Sequence, residues 1–458
     1  MMKKAEIIIL VIILLFALFL RIYALGSPGM WIDESISGIA SREILEKGIP
    51  VFDSGSLYSR AYVFHYLQAS FMFLIDNDFG ARLASVIFGL LIIVLGYFIG
   101  KEYSKSGGLI AALFLAVFYL EVFYSRQARF YQMFQFMFFL TLYLVYKSKE
   151  DKDFIYPALL SFFITVNTQV AGLVIAPFFI IYSFMYNKQR WWLSLFSLVP
   201  FVYYVLPLLG LSGGTQSAGN YVSWYSGYTN NIKYLLILFI PGVVWSYIKN
   251  KKLTLLLVVP TLTLLFGVFF VKLFALRYMY FFVFALVFYS SILIAYLYDK
   301  YGSYMILSIF ILLLFPSNLL FDYTFVNVIK PVDYNLRDAS APVIDYKAIP
   351  LNLSSEIINS NKTIMTFFSP GVEWYLKKPD YVFPFSMNGI GNDTISYNGT
   401  DVYSGAVIKT DKPDGDFYFI ADNFALSKLS PSQRQQYNVI VQNCSKVYDA
   451  RDLGVYEC

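Results

Sequence analysis

The chain is 458 residues long, 58% hydrophobic and 14% charged, with a formal net charge of +5. Apolar runs of membrane-spanning length recur through its first two thirds, which excludes a soluble globular enzyme and defines a polytopic α-helical membrane protein. The basic residues lie in short clusters between those runs rather than on one face, so the lipid bilayer accounts for them and nucleic acid is excluded as a partner.

Lys3 and Lys4 precede a first apolar run, 6–25, that lacks a small-residue cleavage site and reads as a retained span. Just past it stands WIDES, with adjacent carboxylates Asp33 and Glu34. The next run, 61–75, contains His65 and Gln68 and is only 15 residues long, which leaves its crossing undecided by length. Further spans are expected near 80–100, 108–123, 131–146, 154–169, 171–186, 191–210, 234–248, 253–271, 278–297 and 303–321, making eleven with the first.

Basic residues set the sidedness, because cytoplasmic loops are enriched in Lys and Arg. If 61–75 does not cross, thirteen of them fall in short cytoplasmic loops, from Lys3 and Lys4 through Lys101, Lys105, Lys147, Lys249 and Lys251 to Lys300. If it does cross, the last eleven of those thirteen move outside. The segment 61–75 is therefore expected to be a re-entrant or interfacial helix within a first outer loop, 26–79. The transmembrane domain is then 1–321, with a cytoplasmic amino terminus in a plasma membrane and an extracytoplasmic tail, 322–458.

Two features of the tail agree. Five Asn-x-Ser/Thr sequons occur, at Asn352, Asn361, Asn392, Asn398 and Asn443, and such motifs are modified only outside the cytoplasm. The only cysteines, Cys444 and Cys458, bracket a segment that reads as two short strands and a turn. A disulfide would close that hairpin in an oxidising compartment; two free thiols are the alternative. Strands are expected at 363–369, 380–385, 401–410, 416–422 and 437–443, and helices at PGVEWYLKK and SPSQRQQY, which makes the tail a mixed α/β domain.

Once topology has claimed the cytoplasmic lysines, a second polar set remains on the outer side: Asp33, Glu34, Arg60, His65, Arg82, Glu121, Arg126, Gln127, Arg129, Lys272 and Arg277. Ionisable groups at membrane depth are kept mainly where they line a cavity or a site. EVFYSRQARFYQ, 121–132, is the densest stretch. On a helix it would set Arg126 and Arg129 at i, i+3 and Gln127 and Tyr131 at i, i+4, a pattern suited to phosphate or carboxylate. The structural alternatives are plain: Arg60 and Arg82 as interfacial anchors that snorkel to head groups, His65 as a core residue unable to make a zinc site alone, and Asp33 with Glu34 as a hydrated helix cap.

Five motifs in order, WIDES, YSRAYVFHYLQ, FGARLASVIFG, YSRQARFYQ and ALRYMY, resemble the GT-C membrane glycosyltransferases, in particular the protein O-mannosyltransferase and aminoarabinose transferase-like branch. The likeness covers most of residues 1–300. It implies inverting transfer of a sugar from a polyprenyl- or dolichyl-phosphate donor to a protein, lipid or glycan acceptor on the outer side. In that reading Asp33 is the general base, and Glu34 orients it, holds the acceptor or ligates a divalent metal ion. Arg126, Arg129 and Arg277 bind the donor phosphate, with Arg60, His65, Glu121, Gln127, Tyr131 and Lys272 as further substrate contacts.

Two departures from the resemblance bear on chemistry. Relatives often carry an acid just after the last arginine of YSRQAR, where this chain has Phe130 and Tyr131, so metal dependence stays open. The WWDYG motif of oligosaccharyltransferases is absent, the tail having only VEWYL at 372–376, which disfavours en bloc transfer to asparagine. A transporter or flippase of lipid-linked saccharides is the rival reading; it accounts for the spans and charges but not for a carboxylate pair beside a folded outer domain, and paired broken helices of an inverted repeat are not evident.

Overall fold

The computed structural model describes residues 4–202, 221–268, 280–302, 344–385, 396–450 and 452–458. In chain order the helices of its first three hundred residues are α1 (Lys4–Ile22), α2 (Ile32–Lys47), α3 (Tyr62–Leu74), α4 (Asp78–Lys101), α5 (Gly107–Val117), α6 (Tyr119–Ser125) and α7 (Tyr131–Lys147). They continue with α8 (Ile155–Thr168), α9 (Ile175–Tyr186), α10 (Tyr221–Lys249), α11 (Lys251–Val268) and α12 (Tyr280–Tyr301). The chain divides into two compact units, Met1–Leu25 with Ala84–Asp333, and Gly26–Leu83 with Tyr334–Cys458. The second unit is therefore assembled from two chain segments, the loop after the first span and the tail.

In the first unit, continuous apolar sequence makes the helices and local breaks set their lengths. Among the described residues α1, α4 and α12 are long and apolar enough to cross a membrane, and α5 with α6 would be a fourth span bent by 62°. The expected run 108–123 is thus two helices, because Phe118 is extended (φ −64°, ψ 126°) between them. The run expected from 191 opens as a 3₁₀ turn, Trp191–Leu198, and that from 303 to 321 lies outside the described residues. Pro241 sits inside α10 and Pro260 inside α11. Beside Pro241, Gly242 lets α10 approach α12 so closely that a Cβ there would stand 2.1 Å from the Tyr289 carbonyl oxygen.

In the second unit α2 and α3 pack together. At 13 residues α3 extends about 20 Å at ~1.5 Å per residue, well short of a hydrocarbon core of about 30 Å. The tail adds α13 (Leu351–Asn359), β1 (Thr363–Thr366), α14 (Ser369–Tyr375), β2 (Tyr381–Val382), β3 (Ser396–Tyr397), β4 (Thr400–Asp401), β5 (Val407–Ile408) and β6 (Phe417–Asp422). Then follow α15 (Asn423–Lys428), α16 (Pro431–Val441), β7 (Ser445–Asp449) and β8 (Leu453–Glu457). The sheet order is β3-β4-β5-β2-β1-β6-β8-β7, with β5, β2, β1 and β6 parallel and the strands at both ends antiparallel. Phe367, Phe383, Phe385, Phe417 and Phe419 fill its core against Tyr437 and Ile440 of α16.

Two expected strands come out differently. The segment 437–443 continues a helix, because Ser430 and Gln433 cap each other's backbone N–H groups, Pro431 opens the first turn, and Tyr437 and Ile440, three apart, face the core. The stretch 401–410 is β4 and β5 joined by a turn rather than one strand. Gly405 takes φ 69° there, and the Asp401 carboxylate accepts from Ser404 Oγ at 2.7 Å and Ser369 Oγ at 2.6 Å. The carboxyl-terminal segment forms the β7–β8 hairpin, and a disulfide joins Cys444 to Cys458 at its ends.

Candidate active site

The carboxylate pair opens α2. Acidic groups in a first helical turn meet its unpaired N–H groups and the positive end of its dipole, and Asp33 and Glu34 both sit there. They have different surroundings. Glu34 is buried, with Oε2 accepting from the Trp31 N–H at 3.4 Å. Arg82 completes its environment as a fork: Nε donates to Oε1 at 2.9 Å and one terminal nitrogen to Oε2 at 2.9 Å. The same guanidinium donates to the carbonyls of Pro28 at 2.9 Å and Gly29 at 3.1 Å. Arg82 is 2% exposed, so it is not the snorkelling anchor that its place at a span end suggested. Asp33 is half-buried, and its carbonyl accepts from Ser37 Oγ at 3.1 Å.

This geometry bears on a metal. Both Glu34 oxygens are engaged by Arg82 and the Trp31 amide, so the pair does not offer two open carboxylates to a cation. Among the described residues no three of His, Cys, Asp and Glu are grouped to hold a metal ion. The residues present do not fit a metal bound between Asp33 and Glu34.

His65 is fully buried, with Nδ1 3.2 Å from Gln68 Oε1. Gln68 also accepts from Ser41 Oγ at 2.8 Å and donates to the Ala81 carbonyl at 2.7 Å, so His65 belongs to a polar staple joining α2, α3 and the start of α4. Arg60 is exposed, one residue before Ala61, whose φ of 50° turns the chain into α3.

In the first unit the stretch 121–132 is not one helix. α6 ends at Ser125, residues 126–130 form a turn, and α7 begins at Tyr131, so Arg126 and Arg129 do not share a helical face. Arg126 donates to the Leu20 carbonyl at 3.0 Å, Arg21 at 3.2 Å, Tyr23 at 2.7 Å and Ala24 at 3.4 Å. These are the orphan acceptors at the carboxyl end of α1, and Arg126, expected on a donor phosphate, caps that helix. Arg129 is buried, with its guanidinium 4.8 Å from the Phe130 ring centroid and 5.5 Å from that of Tyr131. Gln127 and Tyr131 are buried, Tyr131 lying edge-on to Tyr124. Glu121 accepts from Gln135 Nε2 at 2.9 Å, Gln132 Nε2 at 3.3 Å and Tyr280 Oη at 2.6 Å. Lys272 and Arg277 lie outside the described residues.

Three groups were missed in the sequence reading. Arg21, fully buried within the first apolar run, donates to the carbonyls of Ala116 at 2.9 Å and Leu115 at 3.2 Å, where α5 breaks. A charge inside an apolar run was the signal available. Asp78, one helical turn before Arg82, accepts from Trp374, Tyr375 and Lys347. Tyr280 with Gln132 and Gln135 surrounds Glu121, and only the structure brings those four together.

Residues 59–212 match the dolichyl-phosphate-mannose-protein mannosyltransferase family. No curated protein matches the chain in sequence. Among solved structures it is similar to ArnT from Cupriavidus metallidurans bound to undecaprenyl phosphate, with a TM-score of 0.61 and 11% identity over 100% of this chain and 98% of that one. Apo ArnT gives a TM-score of 0.62 at 11% identity over 99% and 98% of the two chains. The Archaeoglobus fulgidus oligosaccharyltransferase, tethered with an acceptor peptide containing the NVT sequon, gives 0.56 at 13% identity over 92% and 69%. The fold is therefore that of the GT-C membrane glycosyltransferases. In sequence the chain is similar to the mannosyltransferase family over residues 59–212, and in fold it is similar to ArnT over its whole length.

Proposed function

We propose that this protein is an inverting glycosyltransferase that moves a sugar from a polyprenyl- or dolichyl-phosphate to an acceptor hydroxyl on the outer side of the membrane. The observation that carries the reading is the asymmetry of the carboxylate pair: Glu34 is held by Arg82 while Asp33 stays half-buried in the first turn of α2. ArnT with its bound undecaprenyl phosphate supports a lipid-phosphate donor. The oligosaccharyltransferase with its tethered peptide supports a protein among the acceptor classes, beside lipid and glycan.

Asp33 takes the proton of the acceptor hydroxyl as its oxygen attacks the anomeric carbon. The bond from that carbon to the carrier phosphate oxygen breaks on the opposite face, which inverts the configuration. The phosphate leaves as an anion, so no general acid is needed on that side. Arg129, with Arg277 from the late Arg-Tyr motif, meets the charge that grows on the phosphate. Glu34 sets the orientation of the turn that carries Asp33, and no step passes through a metal. Eleven spans, a cytoplasmic amino terminus and an extracytoplasmic tail complete the proposed topology, as the loop lysines favour.

The test separates transferase from flippase. Purified protein is incubated with a polyprenyl-phosphate sugar labelled in the sugar, together with a membrane and protein extract as acceptor. Label in a new glycoconjugate, with one free polyprenyl phosphate per sugar moved, is expected. Recovery of all label on intact donor would overturn the reading.

A further inference from the structure

We infer that Tyr375 and Trp374, in the tail's VEWYL segment, are positioning residues for Asp33, holding the turn that carries it against the first turns of α4. This rests on the proposed role of Asp33 and goes beyond it. The tail then serves the chemistry by fixing the base.

The contacts converge on the residues flanking Asp33. Tyr375 Oη accepts from the Met30 N–H at 2.6 Å and donates to Asp78 Oδ2 at 2.9 Å. Met30 lies three residues before Asp33, in the segment that Arg82 grips through the Pro28 and Gly29 carbonyls and Glu34. Asp78 and Arg82 are four apart in α4 and so share one face of that helix. Residues 28–34 thus have two tethers on one rigid element, one direct through Arg82 and one relayed from Asp78 through Tyr375.

Trp374 supplies the second half of the clamp. Its Nε1 donates to Asp78 Oδ1 at 2.8 Å, and its ring lies so close to α2 that a Cβ at Gly38 would stand 2.5 Å from Cζ3. One turn further on, the Arg42 guanidinium stacks 3.7 Å from the centroid of the same ring. Lys347 Nζ donates to Asp78 Oδ2 at 2.9 Å, so Asp78, itself buried, accepts from three donors of the tail. A displacement of about 1 Å in a reacting group costs on the order of 10²-fold in rate, so a base on a short helical turn gains from such bracing.

The experiment is Tyr375→Phe, which keeps the ring and deletes the hydroxyl, assayed in the full chain with polyprenyl-phosphate sugar. We expect kcat to fall about 10- to 100-fold with donor KM within about twofold, and faster hydrogen exchange at amides 30–36 with the β1 and β6 amides unchanged. Gly38→Ala, which pushes α2 off Trp374 without removing a hydrogen bond, is expected to give the same split. Full kcat with unchanged exchange at 30–36 in both variants would overturn the inference. So would a loss of kcat accompanied by faster exchange across the whole sheet, the mark of a merely structural role. Asp33→Asn serves as control: if it keeps full activity the proposed base has failed, whereas if it is inactive with unchanged exchange at 30–36 the Tyr375 result judges the clamp alone.

Discussion

Arg82 and Glu34 face each other as a bidentate pair, with Nε on Oε1 and a terminal nitrogen on Oε2, both at 2.9 Å, and with both side chains almost fully buried. Two adjacent carboxylates of similar chemistry thereby acquire different surroundings. In the proposed mechanism the one held by the guanidinium fixes the turn, and its half-buried neighbour takes the proton.

Removing one partner of a buried pair leaves an uncompensated charge, which typically costs about 3–5 kcal/mol. Arg82→Ala is expected to destabilise by that order, and Arg82→Lys to recover only part, since an ammonium cannot fork to both oxygens and reach Pro28 and Gly29 as well. Glu34→Gln in the Arg82→Ala background is expected to restore part of the loss. Thermal unfolding in detergent of the single and double variants measures the coupling; additive losses would contradict a direct pair.

The two arginines of YSRQAR are expected to separate by phenotype. Arg126→Ala removes the cap of α1 and is expected to lower stability while leaving donor KM within about threefold in the protein that folds. Arg129→Ala is expected to leave folding near wild type and to lower kcat/KM for the lipid-linked donor by about 10²-fold or more. Steady-state kinetics with a water-dispersible donor analogue distinguishes them.

The tail carries a pH signature. Asp422 caps α15 by accepting from the Ala425 N–H at 2.6 Å, and complete burial pushes its carboxyl up to about 7. Glu373 is raised to about 7 as well, by burial first and then by nearby Asp53. An unfolded Asp titrates near ~3.9. Between about pH 4 and 7 the fold therefore holds a proton on each of these two carboxyls that the unfolded chain has released, so stability falls as pH rises through that window and levels off above it. Asp422→Asn keeps a capping oxygen and is expected to flatten the slope, matching wild type near pH 4 and exceeding it at pH 8. Urea unfolding followed from pH 4 to 8 is the check.

Cys444 and Cys458 close a loop of 14 residues. The chain-entropy account gives a loop of that size about 3 kcal/mol. The Cys444→Ser, Cys458→Ser double variant is expected to lower the unfolding free energy of the tail by that order, and with it the unfolding midpoint, with transfer activity retained. Equal midpoints for the oxidised protein and the double variant would contradict it.

How much of this was legible in the sequence depended on the range of the interaction. Local rules found the first apolar helix and the hairpin bracketed by Cys444 and Cys458, but not the helix Ile32–Lys47 that Asp33 and Glu34 open. They failed where one pattern served two structures: YNVIV alternates like a strand, but the Ser430–Gln433 cap upstream commits it to a helix. The turn through 126–130 was hidden because YSRQARFYQ has no Gly or Pro to announce a break; Arg126 is drawn instead to carbonyls about a hundred residues earlier. Arg82 looked like an anchor because its partner, Glu34, lies 48 residues away. VEWYL gave no hint of its task, since Trp374 and Tyr375 meet Asp78 across almost three hundred residues.

The central claim is that Asp33 removes the acceptor proton, and the most direct measurement is the transfer rate of Asp33→Asn. With polyprenyl-phosphate sugar and acceptor both saturating, the rate is expected to fall at least about 10³-fold while the melting temperature stays near wild type and the donor still binds. Transfer at the wild-type rate by a folded Asp33→Asn protein would contradict the account.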